Sequence, residues 1–98
     1  MKRDEVLRIL AANRKKLAEL SVKSLAIFGS VARDEATDAS DVDLLVEFEK
    51  GHPTGLFEFF GVSQFLEDAL GCKVDLVMPD ALRKEFKDEV LKEAIRAA

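Results

Sequence analysis

A chain of 98 residues, 48% apolar and 35% charged, with five glycines and two prolines, fits one compact water-soluble domain with a modest core. Its 15 basic and 19 acidic residues leave a net charge of −4 with no long Lys/Arg run, which speaks against a broad nucleic-acid-binding surface. No run of about 18 apolar residues offers a membrane span, the first five residues lack the apolar block of a signal peptide, and a lone Cys72 forms no internal disulfide, so a reducing cytoplasm is the expected location.

Residues 4–20 carry Val6, Leu7, Leu10, Leu17 and Leu20 near helical spacing, with Arg14, Lys15, Lys16 and Glu19 between them, and predict one amphipathic helix. Residues 23–29 predict a buried strand around Leu25, Ala26, Ile27 and Phe28. Gly29-Ser30 then turns the chain into a short helix over 31–35, and the small polar residues 37–40 read as a loop. Residues 41–49 predict a second strand. Side chains alternate along it, so Val42, Leu44, Val46 and Phe48 face a core while Asp41, Asp43 and Glu47 share the opposite face. Glu47 lies farther from the strand's head and reads as an exposed edge charge.

Residues 50–55 hold Gly51, Pro53 and Gly55 and form a loop, in which His52 reads as solvated surface. Residues 55–70 predict a helix with a stripe of Leu56, Phe59, Phe60, Leu66 and Leu70. Phe57 and Phe65 fall off that stripe, which leaves two readings: a well-buried helix, or a Phe57/Phe65 surface for a homo- or hetero-oligomer. Gly71 ends the helix. Residues 72–78 predict a third strand, with Cys72 a small buried member, Val74, Leu76 and Met78 on one face, and Asp75 on the other. Pro79 stops the pairing, and Asp80 can cap a last helix over residues 80–97, whose apolar row is Leu82, Phe86, Val90 and Ala94. Glu89 and Glu93, with Lys92 and Arg96, read as its solvated face. The expected architecture is an α/β (α+β) two-layer domain over residues 1–98, a small three-stranded mixed sheet with helices packed on one face.

Three carboxylates stand out against these strands. Asp41 and Asp43 point the same way at the head of an apolar strand, and Asp75 sits in the middle of another. Such acids are costly unless paired, hydrated or bound to a cation. Mg²⁺ is held by one or two carboxylates plus substrate phosphates. Gly29-Ser30, at a strand-to-helix junction, offers backbone N–H groups and a hydroxyl to phosphate oxygens. If the first two strands run antiparallel, turn and acids meet at one mouth. Three acids beside a phosphate-binding turn point to metal-assisted phosphoryl or nucleotidyl transfer. Ser40 could bond a phosphate or steady the turn before Asp41. Arg33 could reach phosphate or acceptor, or else pair with Asp34, Glu35 or Asp38.

The run Gly29-Ser30-Val31-Ala32-Arg33, followed by Ser40-Asp41-Val42-Asp43-Leu44-Leu45-Val46 and by Asp75 on a later strand, resembles the minimal nucleotidyltransferases (MNT) of the DNA polymerase beta-like superfamily, over nearly the whole chain. That resemblance implies the nucleotidyltransferase fold and an enzyme that moves a nucleoside monophosphate from ATP or another NTP. It implies two Mg²⁺ ions held by Asp41, Asp43 and Asp75, and triphosphate contacts from Gly29, Ser30, Arg33 and Ser40. Many such proteins are antitoxins that add AMP to a HEPN-type toxin, so such a partner is expected here, with neither membrane nor direct nucleic-acid binding. A catalytically silent antitoxin, or a transferase for a small-molecule hydroxyl, are the alternatives. One departure is Asp34, where family members often carry Gly; it adds negative charge near the phosphates.

Overall fold

The computed structural model describes residues 2–35, 41–49 and 55–97. In chain order these form α1 (Arg3–Ala12), α2 (Arg14–Glu19), β1 (Val22–Phe28), α3 (Gly29–Ala32), β2 (Val42–Phe48), α4 (Leu56–Leu70), β3 (Val74–Val77), a 3₁₀ turn (Pro79–Ala81), α5 (Lys84–Glu93) and β4 (Ile95–Arg96). The sheet has four strands in the order β3-β2-β1-β4. β1 runs antiparallel to both β2 and β4, and β2 runs parallel to β3. The mixed sheet is the expected one with a strand added at its edge. Among the described residues no helix is long and apolar enough to cross a membrane.

The core lies on one face of the sheet. Leu25 and Ile27 of β1, Val42, Leu44 and Val46 of β2, and Val74 and Leu76 of β3 are buried there against Val6, Leu10, Leu17, Val62 and Leu66 of the helices. Full burial of each such side chain is worth about 1.5–3 kcal/mol, so the alternation in β2 fixes which of its faces turns inward. Leu45, on the outer face, is nevertheless buried.

Several elements differ from the sequence reading. The first helix is two helices. At Asn13 the backbone leaves helical geometry (φ −103°, ψ 12°), and the side-chain amide donates to the Ile9 carbonyl at 2.8 Å. Asn competes with the main chain for such carbonyls. In α4 the buried positions are Val62, Leu66 and Leu70, with Phe59 and Phe65 packed partly against the core. Leu56 and Phe60 turn outward with Phe57, so the exposed apolar set is Leu56, Phe57 and Phe60 rather than Phe57 and Phe65. Cys72 is half-buried and precedes β3 instead of belonging to it, and Met78 follows the strand, exposed. Glu47 sits on an interior strand of the sheet, paired with Lys23 at 3.5 Å.

The largest change is at the C-terminal end. The predicted helix over 80–97 is a 3₁₀ turn holding Asp80, then α5 with Arg83 at its N-cap, then β4. α5 buries no residue, so it lacks the packing that would extend it, and residues 95–96 gain backbone partners on β1 instead.

Candidate active site

Strand register assembles the acids. β1 and β2 pair Phe28 with Asp43, which brings the end of β1 beside the head of β2. β2 and β3 pair Asp43 with Asp75, so the two acids stand side by side on strands spaced about 4.8 Å, on the face opposite the core. Asp41 precedes β2, exposed, and Val42 beside it donates its N–H to the Lys73 carbonyl at 3.0 Å. The approach of β3 is set one step earlier. Gly71 ends α4 in the left-handed region (φ 70°), its N–H on the Glu67 carbonyl at 2.8 Å, and the Glu67 carboxylate accepts the N–H of Val74 at 3.1 Å. That cap starts β3 in the register that places Asp75 beside Asp43.

Gly29 closes the group from the other side. Its φ is +72°, and a Cβ built on it would strike the Asp43 carboxylate, with Cγ at 3.1 Å. Only glycine combines that backbone with that approach. Ser30 follows, half-buried, in the single turn of α3. Arg33, at the end of that turn, is exposed and held by two carboxylates. Its Nε donates to Glu35 at 3.1 Å, and a terminal nitrogen donates to both oxygens of Glu93 at 3.0 Å. Glu35 first and Glu93 second hold the guanidinium above its ordinary pKa. Ser40, with His52 and Asp38, lies outside the described residues.

The electrostatics single out Asp43. Burial first, then the charges of Asp75 and Asp41, push its carboxyl above the usual range; Arg33 pulls the other way, and Glu93 adds to the rise. A cation among these oxygens would reverse that penalty, and the donors are the hard oxygens that divalent magnesium takes. The donor chemistry therefore fits such an ion. Among the described residues no three His, Cys, Asp or Glu side chains stand close enough together to hold a metal ion as they are. A cleft of about 520 Å³ is lined by Leu17, Val22 and Glu49, at the opposite end of β1 and β2 from Asp43.

Glu93 is the site residue that sequence reasoning missed. Its neighbours Lys92 and Arg96 suggested a solvated helix face, and nothing local marks it out. The pairing of Ala26 with Arg96 and Ile27 with Ile95, extended by two residues ahead of β4, is what carries it to Gly29.

Asp34 has a conformational explanation. Its φ is +59°, the left-handed region in which Asp is one of the few tolerated side chains. Glycine takes this backbone without strain. Replacing Asp34 with Ala should cost about 1 kcal/mol, while Asp34→Gly should be close to neutral; urea denaturation of the two variants measures the difference.

A family model described as "Nucleotidyltransferase domain" matches residues 7–97. The chain is 40% identical over 93 residues to the protein adenylyltransferase MntA of Thermococcus cleftensis, covering 94% of this chain and 92% of that one. A solved structure described as a candidate minimal nucleotidyltransferase superposes with a TM-score of 0.82 at 36% identity, over 97% of this chain and 95% of its own. A chain from the complex of a tri-AMPylated Shewanella oneidensis HEPN toxin with an MNT antitoxin shares the fold at a TM-score of 0.58 and 19% identity, over 91% and 71% of the two chains.

Proposed function

The chain belongs to the nucleotidyltransferase domain family, in its minimal branch, and on that premise we propose that it moves AMP from ATP to a hydroxyl of a HEPN-type partner protein as the antitoxin of a toxin–antitoxin pair. It is a nucleotidyltransferase; AMP, the protein acceptor and the antitoxin role are the proposal. The observation that carries it is the register of Asp43 with Asp75, with Gly29 pressed against the same carboxylate. The name of the Thermococcus relative and the HEPN complex of the Shewanella neighbour supply the choice of nucleotide and partner.

Asp41, Asp43 and Asp75 would hold two Mg²⁺ ions. Bound there, such ions neutralise triphosphate charge and lower the pKa of the acceptor hydroxyl. Gly29 and Ser30 grip the β- and γ-phosphates and orient pyrophosphate as the leaving group; Arg33 and Ser40 add contacts to the same tail. The acceptor oxygen bonds to the α-phosphorus as the bond from that phosphorus to the bridging oxygen breaks. Asp75, exposed in β3, would either ligate the second ion or take the hydroxyl proton. Positioning and charge neutralisation do the work, with no covalent enzyme intermediate. With 98 residues the chain has little left over to grip base and sugar, which is consistent with loose base selectivity and with a partner surface that completes the cleft.

With magnesium, a HEPN-type partner and ATP labelled at the α- or the γ-phosphate, label should move to the partner from the α position alone. Transfer from γ alone would make the protein a kinase, and the absence of transfer with a partner known to bind would end the reading.

A further inference from the structure

We infer that Glu93 is an internal gate: in the free protein its carboxylate fills the phosphate donors at Gly29 and Arg33, and an anionic ligand must move the end of α5 to reach them. The identity of that ligand as a nucleotide triphosphate rests on the function proposed above; the gate itself rests on geometry.

The Gly29 N–H donates to Glu93 Oε1 at 2.7 Å, and Arg33 donates to Oε1 and Oε2, both at 3.0 Å. One backbone donor and one guanidinium, converging on two oxygens of a single anion, is the pattern that also receives a phosphate. Glu93 comes from 64 residues away to supply that anion. A single N–H serves one acceptor well, so carboxylate and phosphate compete at Gly29. Orienting Arg33 does not require Glu93, because Glu35 already holds its Nε.

The gate is built to open. Glu93 is the last residue of α5, a helix that buries none of its residues and packs on α3. It is anchored by two residues of β4, by the Ala97 N–H on the Leu25 carbonyl at 2.7 Å, and by the partly buried side chains of Ile95 and Ala97 on the core. A helix that buries no residue, held by so short a strand, opens at lower cost than the core elements. An anion that binds only the open form has its affinity reduced by the fraction of molecules open.

Titration calorimetry with MgATP and, separately, with inorganic tripolyphosphate tests this on the whole protein, on Glu93→Gln, and on Glu89→Gln as a control of equal charge change on the same helix. Both probes should bind Glu93→Gln about tenfold more tightly than the parent, with Glu89→Gln unchanged. Equal or weaker binding to Glu93→Gln, with MgATP still bound by the parent, overturns the gate and leaves the nucleotidyltransfer reading intact. Tighter tripolyphosphate binding without MgATP binding by any form sustains the gate and removes ATP as the substrate. Failure of both probes on every form overturns both. If Glu93→Gln does not fold, hydrogen exchange on the parent decides: saturating tripolyphosphate should speed exchange at the Ala97 amide, and an unchanged rate overturns the gate.

Discussion

Asp43→Asn should lower nucleotidyl transfer by at least about 10²–10³-fold while raising the melting temperature of the metal-free protein at pH 7. The loss follows from the position of Asp43 between Asp75 on one side and Gly29 on the other. Charge stabilisation by bound metal is worth several kcal/mol, and each ~1.4 kcal/mol is tenfold in rate. An amide in place of the central carboxylate removes most of it. The gain in stability has the opposite sign because burial, Asp75 and Asp41 raise the folded-state pKa of Asp43. A carboxyl raised on folding contributes its stability fully below the unfolded value, and loses it as pH rises through the folded value. At pH 7 the ionised Asp43 is therefore a cost, partly offset by Arg33, and Asn is free of it. The rise should be a few degrees at most, since solvent reaches the group, and it should vanish near pH 3. Thermal melts in a chelator at the two pH values read it directly. A lower melting temperature at pH 7, or activity within tenfold of the parent, would show that Asp43 is a structural residue.

Gly29→Ala should be the most destabilising single change at the site, by about 2–5 kcal/mol. A left-handed backbone costs an alanine about 1–2 kcal/mol, and forcing a methyl into a filled space costs about 1–3 kcal/mol more. Here the space is filled by the Asp43 carboxylate, not by a yielding apolar tail. That is a large share of the 5–15 kcal/mol typical of a whole domain. The two contributions separate in a double-mutant cycle. Asp43→Ala removes the Cγ that lies 3.1 Å from the new methyl and leaves the Cβ at 3.4 Å, an ordinary contact. Gly29→Ala combined with Asp43→Ala should then cost less than the sum of the single changes, by about 1–3 kcal/mol. Strict additivity in denaturant unfolding would mean that the backbone alone, and not the approach of the carboxylate, selects glycine.

Much of this protein was legible in its residues because the informative patterns are local. Alternation along residues 41–46 separated Asp41 and Asp43 from Val42, Leu44 and Val46, and burial of the latter enforces that separation. The motif from Gly29 to Asp43 named the family, and the family model covers residues 7–97. Where the pattern was not selective, the reading slipped. α4 carries apolar residues on all sides, so spacing could not tell that Val62, Leu66 and Leu70 face inward while Leu56, Phe57 and Phe60 do not. An unbroken helical period also hid the interruption at Asn13, where one side-chain hydrogen bond decides the matter.

Tertiary structure alone decided the rest. Of the helix predicted over 80–97 only 84–93 forms, and whether 95–96 continue it depends on a free edge of β1 waiting to be paired. That same pairing carries Glu93 across the chain to the donors of Gly29 and Arg33. Side-chain chemistry and periodicity are written along the chain, and so they set the faces of strands and the identity of the acids. Register between distant strands is set by which backbone groups find partners when the core closes, and that is what placed Asp75 beside Asp43 and Glu93 on the N–H of Gly29.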